Sequence, residues 1–336
     1  MNRNMIQWRQ QVMNSPKVLA LPVMTHPGVE KIGATVKQAV TDGECHFRAI
    51  QALTDLPMAA ATMIMDLSVE AEAFGATPHF TDHEVPSILE AVAPNAEAIE
   101  RLAIPSLNAG RVPQYLKATR LAAQNITDRP VIAGCIGPIS LAGRLHGMTE
   151  IMMAVLLEPD MIHKLLDKCT QFLIQYVTAF RDAGADGIFM AEPAAGMLAP
   201  AQCDEFSSAY VKRVVDAVQT DDFAVILHNC GNPGAHNKSM QSTGAWGFHL
   251  GNKNDIGKAL QDFSPENLVF GNIDPAGVIR MGSVQDVRDN VLRVLTAAAG
   301  HKNFVLSTGC DTPPAVPWAN IQAFFSALEE FNQRRH

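Results

Sequence analysis

Eight short apolar runs punctuate this 336-residue chain, at residues 18–24, 58–64, 130–135, 187–191, 224–228, 245–250, 268–273 and 304–308. Each is bounded by Gly, Pro, Asp or Asn, and most are separated by stretches whose apolar positions recur every three or four residues. The clearest helix is predicted over 159–183, where Ile162, Leu165, Leu166, Cys169, Phe172, Leu173, Tyr176, Val177 and Phe180 form one stripe. Pro159 opens its first turn and Gly184 follows its end, the usual asymmetry of helix termini. Such a stripe must be buried against another element. Further helices are predicted over 201–218, 284–299 and 317–333. Strand and helix alternating to a count of eight favour an α/β fold of the closed (β/α)8 barrel type over an open doubly wound sheet. No Gly-x-Gly-x-x-Gly follows the first run, which removes the strongest sign of the open alternative. Residues 74–88, with Gly75, Pro78 and Pro86 around short alternating segments, are expected to form a small hairpin or lid after the second strand. No linker or repeat interrupts the pattern, so one domain over 1–336 is expected.

Composition narrows the partners. Hydrophobic residues make up 47% and charged residues only 18%, which suits many buried strands joined by tight turns. A net charge of −8 without a Lys or Arg cluster argues against nucleic acid. The stretch from Met1 to Ser15 mixes Arg, Gln and Asn with scattered apolar residues, the pattern of neither a signal peptide nor a membrane span. A cytoplasmic protein is the resulting expectation, and a homodimer is left open. Six cysteines lack the compact spacing of a disulfide framework, and reduced thiols are expected. Cys45, Cys169 and Cys203 read as small buried hydrophobes. Cys135 ends an apolar run just before Gly137-Pro138 and is placed near the barrel mouth.

Candidate chemistry concentrates at two strand ends. Leu227-His228-Asn229-Cys230-Gly231 closes one run and Gly309-Cys310 closes another. Positions two apart on a strand share a face, so His228 and Cys230 would lie side by side. With Cys310 they would form a three-ligand site for zinc with one position open to substrate. The competing reading is a core histidine beside a buried cysteine. In barrels of this kind the reactive groups sit at the C-terminal strand ends, where these residues fall.

The landmarks His26-Pro27-Gly28-Val29-Glu30-Lys31-Ile32-Gly33, Ser68-Val69-Glu70-Ala71-Glu72-Ala73-Phe74-Gly75 and Gly137-Pro138 through Ala142-Gly143 follow one another along the chain. After them come His228-Asn229-Cys230-Gly231-Asn232, Gly271-Asn272-Ile273-Asp274-Pro275, and Gly309-Cys310 with Pro314 and Pro317. In this order they resemble the uroporphyrinogen decarboxylase superfamily, and within it the methylcobalamin:coenzyme M methyltransferases. The resemblance implies a TIM barrel and a His-x-Cys…Cys zinc motif, carried here by His228, Cys230 and Cys310. The Arg-Gln-Ala-Gly-Arg segment with which the decarboxylases hold tetrapyrrole carboxylates is absent, and Met24-Thr25-His26-Pro27-Gly28 stands there instead.

What the resemblance implies is methyl transfer from methylcobalamin, carried by a separate corrinoid protein docking over the mouth, to a small thiol such as coenzyme M. A free alkyl thiol is only a few per cent ionised at neutral pH, whereas a metal-bound thiol is held as thiolate. Glu192, at the end of the fourth strand, is a candidate carboxylate to ligate zinc at rest or take up the thiol's proton. Its alternative is a salt-bridged or hydrogen-bonded rim carboxylate. Asn229, His249, Asn272, Asp274 and Asp311 lie at or beside strand ends and are candidates to orient ligands or substrate, and His26 could serve similarly or simply close the first strand. Asp311 follows Cys310 where the coenzyme M branch is expected to carry a small residue, which bears on the acceptor more than on the metal. Other acceptors, another thiol or tetrahydrofolate, stay open. So do a lyase acting on a carboxylated substrate, for which Arg144 and its like are few, and a non-catalytic corrinoid- or metal-binding protein.

Overall fold

In the computed structural model, which describes residues 3–334, the apolar runs become the staves of one parallel sheet. The described strands are β1 (Ala61–Thr62), β2 (Pro78–His79), β3 (Ser87–Ile88), β4 (Val131–Ile136), β5 (Gly187–Ala191), β6 (Ala224–Asn229), β7 (Gly247–Leu250), β8 (Leu268–Ile273) and β9 (Phe304–Thr308). Seven of them pair in the order β1-β4-β5-β6-β7-β8-β9, all parallel. The first run, 18–24, forms no extended ladder. Its Ala20 alone bridges Met58 on one side and Leu306 on the other, with Leu21 N–H donating to Leu306 O at 2.8 Å and Ala59 N–H to Ala20 O at 2.8 Å. This residue closes the sheet into the expected barrel. Pro22 explains the brevity, because it lacks the N–H that a longer ladder would need.

Period-two alternation sorts the strand residues into two cores. Leu21, Ala60, Ile132, Phe189, Ala224, Ile226, Leu268, Phe270 and Val305 fill the barrel interior. Their neighbours, among them Val131, Ile188, Val225, Phe248 and Leu306, face the helices. The N-terminal stretch is more structured than its mixed composition suggested. Helix Met5–Asn14 inserts Met5, Trp8 and Val12 into the interior cluster and plugs one end of the barrel, while Met1 and Asn2 lie outside the described residues. The single-domain expectation likewise runs past the description at both ends, since Arg335 and His336 lie outside it too.

The remaining elements follow the periodicity. Helix Pro159–Asp182 buries its whole stripe, with Phe172, Tyr176 and Phe180 in successive ring contacts. The helix expected over 201–218 is Pro200–Cys203 and Ala209–Val218 joined by one wider turn at Asp204–Ser208. The expected insertion is an antiparallel hairpin of β2 and β3. Arg111 lies 5.0 Å from the Phe80 ring beside it and pairs with both Asp66 and Glu72. No helix among the described residues is long and apolar enough to cross a membrane.

Candidate metal centre

His228 occupies β6 beside Ala191 of β5 and His249 of β7, in the layer above the apolar barrel interior. Cys230 continues the inward parity one pleat on, as the strand spacing required. Cys310 arrives from the turn after β9. Ligand atoms of the three lie within 4.8 Å of one another, and among the described residues they form the one such group of His, Cys and carboxylate side chains. All six cysteines are free, and Cys45, Cys135, Cys169 and Cys203 are buried, whereas Cys230 and Cys310 are partly exposed. The Cys310 thiol donates toward Cys230, which pulls Cys230 below its ordinary range, with His228 acting in the same direction, and pushes Cys310 up.

A chain of hydrogen bonds fixes which nitrogen His228 can offer. Ser307 Oγ–H donates to the Leu21 carbonyl at 2.7 Å, which can only accept, so Ser307 Oγ is left to accept from His249 Nε2–H at 2.8 Å. A neutral His249 then has a lone pair on Nδ1, which accepts from His228 Nδ1–H at 2.6 Å. Burial and the neighbouring His228 hold His249 well below the usual imidazole range, in keeping with that neutral form. His228 therefore keeps its Nε2 lone pair for a metal. The donor set of one imidazole nitrogen and two sulfurs fits zinc, with the His228 ring held by its other nitrogen as metal-bound histidines usually are.

The cluster opens on a cavity of about 180 Å³ lined largely by apolar side chains, including Met65, Leu67, Val85, Pro86 and Phe189. Its polar lining comes from the cluster itself, Asp311 and Arg144. Asp311 Oδ1 accepts from Thr25 N–H at 2.8 Å, and burial raises its carboxyl above the usual range, His26 acting the other way. His26 donates from Nδ1 to the Thr312 carbonyl at 2.7 Å, and its buried Nε2 has no hydrogen-bond partner among the described residues.

The other sequence candidates stand behind this surface. Glu192 is buried, and its oxygens accept from Ile139 N–H at 2.9 Å and Ser140 N–H at 3.0 Å, at the N-terminus of helix Pro138–His146. Burial pushes its carboxyl up to about 7. Gly137 makes room for it, since a Cβ there would lie 2.5 Å from the Glu192 carboxyl carbon. Glu192 lies outside both the three-residue cluster and the cavity lining. Asn229 points away from the barrel interior and caps the Cys230 turn, accepting from Gly231 N–H at 3.0 Å. Asn272 donates to the Gly251 and Asn254 carbonyls at 2.9 and 2.6 Å, tying down the loop that packs on Cys230 and Gly309. Asp274 caps the turn at Pro275–Arg280. Cys135 faces the helices, not the cavity. Sequence reasoning missed Ser307. Its signal was a hydroxyl two residues beyond the inward-facing, apolar Val305 of the same strand.

A closed parallel barrel that gathers an imidazole and two thiols beside a small cavity at its C-terminal mouth falls in the class of α/β barrels built for chemistry on a small molecule. The chain belongs to the uroporphyrinogen decarboxylase (URO-D) family, whose model matches residues 9–331. It is 30% identical to the methylcobamide:CoM methyltransferase MtbA of Methanosarcina mazei, over 96% of this chain and 95% of that protein. The protein of the same name from Methanosarcina acetivorans is 29% identical over the same shares. A solved methyltransferase from Methanosarcina mazei, 24% identical, superposes with a TM-score of 0.87 over 97% of this chain and 98% of that one, a likeness of fold.

Proposed function

We infer that this protein transfers a methyl group from a methyl-corrinoid, carried by a separate protein, to a small thiol, at a zinc site held by His228, Cys230 and Cys310. The observation that carries the reading is the convergence of those three ligands on one cavity, with His228 Nε2 left free. Similarity to methylcobamide:CoM methyltransferases along nearly the whole chain supports the same donor and acceptor classes. A zinc ion bound there would hold an incoming thiol as its thiolate at neutral pH.

The chain's own residues do the rest. The apolar walls exclude water around the sulfur, and His249 with Ser307 keeps the His228 ring in one orientation. Asp311 is the carboxylate on the cavity wall beside Cys310 and is placed to take up the thiol's proton. Glu192 serves from behind, fixing the start of the helix that reaches the cavity through Arg144. A cavity of about 180 Å³ admits a small thiol, while a corrin ring must stay at the mouth. Leu89 and Met197, both well exposed, adjoin segments that line the cavity and suit contact with a protein partner there. One arginine in the lining disfavours a polycarboxylated tetrapyrrole as substrate.

Metal analysis of the purified protein should give about one zinc per chain, lost in Cys230→Ser and in Cys310→Ser. Mixing the zinc-loaded protein with methylcobalamin and thiol should change the corrinoid's visible spectrum as methyl leaves cobalt. A protein that takes up no zinc and leaves that spectrum unchanged would overturn the reading.

A further inference from the structure

The three ligands are not held alike. His228 lies within β6 and pairs with Ala191 of β5 and His249 of β7. Cys230 follows at once, its backbone so close to Gly251 that a Cβ there would lie 2.3 Å from the Cys230 carbonyl oxygen. Cys310 comes after the end of β9 at Thr308, in residues 309–317, which form neither helix nor strand before helix Trp318–Gln333 begins. A ligand on such a stretch is only as fixed as the contacts that pin it. Beyond Gly309, whose N–H donates to the Ile273 carbonyl at 2.7 Å, the pins come from the start of the chain. Thr312 N–H donates to the Val23 carbonyl at 3.1 Å, Thr25 N–H to Asp311 Oδ1 at 2.8 Å, and Ala315 N–H to Glu30 Oε1 at 2.7 Å. His26 completes the clasp, with Nδ1–H donating to the Thr312 carbonyl at 2.7 Å, two residues past Cys310.

The His26 ring is buried, and Nε2 has no hydrogen-bond partner among the described residues. The bond to Thr312 is therefore the one hydrogen bond offsetting the burial of this ring. The clasp is itself firmly seated. Helix Thr25–Lys31 packs on helix Gly43–Gln51 at Gly28, where a Cβ would lie 2.5 Å from the Ala49 carbonyl oxygen. Resting on the zinc-site reading above, we propose that His26 is a positioning residue for the metal, holding the turn that carries Cys310 where His228 and Cys230 can share an ion with it. The segment from Val23 to Glu30 supplies no ligand, yet it sets where the third ligand stands. A turn left loose would have to be ordered as the metal binds, and that ordering would weaken binding.

Two variants separate this role from packing. His26→Phe keeps a ring in the buried site and loses the donor, whereas His26→Asn gives up ring volume and keeps an N–H donor near the place of Nδ1. Zinc affinity, read by competition with a chromophoric chelator, should fall about 10- to 100-fold in His26→Phe and by less in His26→Asn. The metal-free protein gives a second readout, alkylation by iodoacetamide mapped by mass spectrometry. In His26→Phe the ratio of Cys310 to Cys230 modification should rise about fivefold, the factor that loss of one ordinary hydrogen bond makes in a local opening. Glu30→Ala, at an exposed position, loses only the Ala315 pin and should raise the same ratio by a smaller factor. An unchanged ratio in His26→Phe, or in Glu30→Ala if His26→Phe does not fold, overturns the proposal. So does a greater loss of zinc in His26→Asn than in His26→Phe, the order expected of a ring that only fills space. Failure of the unaltered protein to take up zinc removes the zinc reading alone, because the alkylation ratio of the metal-free protein still decides for or against the clasp.

Discussion

Replacing His249 by Phe tests the hydrogen-bond chain that presents His228. Phe keeps the ring that packs edge-on against Phe189, with centroids 5.3 Å apart, so the fold should tolerate it. It removes both nitrogens. Ser307 survives this, because its hydroxyl still donates to the Leu21 carbonyl. His228 Nδ1–H loses its 2.6 Å acceptor, but the backbone carbonyl of residue 249 stands 3.2 Å away and can take over. Loss of a partner of this kind lowers metal affinity by about 10- to 100-fold. With the carbonyl as a fallback the lower end applies, about tenfold or 1.4 kcal/mol. Competition with a chromophoric chelator measures the zinc dissociation constant, and the absorption bands of the cobalt(II)-substituted protein report ligand geometry. Ser307→Ala, which leaves His249 Nδ1 in place, should weaken zinc by a smaller factor. Zinc affinity within twofold of the unaltered protein in His249→Phe would refute the argument, and so would a larger loss in Ser307→Ala than in His249→Phe.

Two further outcomes rest on buried charge away from the metal. Glu70 is fully buried, with one oxygen lacking a hydrogen-bond partner among the described residues, and burial pushes its carboxyl from 4.5 up to about 7. In the window between those values the folded protein binds more protons than the unfolded chain, so stability falls as pH rises through it. Glu70→Gln, which can still accept from Ile136 N–H, should therefore match the parent near pH 4 and exceed it at pH 8 by on the order of 1–3 kcal/mol, read from denaturant midpoints at the two pH values. Arg111 is buried against Asp66, Glu72 and Ser68, and Arg111→Ala should destabilise by about 3–5 kcal/mol in the same assay, because two carboxylates lose their partner. A loss below 1 kcal/mol would show that water reaches the pair.

Much of this molecule was readable before any coordinates. Strands β5, β8 and β9 match the runs at 187–191, 268–273 and 304–308, because a fully buried parallel strand is a continuous apolar block between turn residues. The run at 18–24 was legible as a stave but not as a single bridge, since the influence of Pro22 depends on which neighbours its missing N–H would have met. The N-terminal helix went unread because its three buried residues, Met5, Trp8 and Val12, make too thin a stripe among polar neighbours, and their burial comes from the open end of the barrel.

The same division runs through the site. Parity along one strand is a local property, so sequence alone put His228 and Cys230 on one face and a second cysteine at another strand end. Which groups meet across the barrel is set by closure and register, and only the tertiary structure could decide it. Closure brings Cys310 to the other two ligands, and register sets His249 beside His228 and Asn272 beside Ser307. It also turns Glu192 toward the amides of Ile139 and Ser140, and sets Arg144 in the lining of the cavity. Distances between residues far apart in the chain depend on how every intervening element packs, and no short stretch of sequence carries that information.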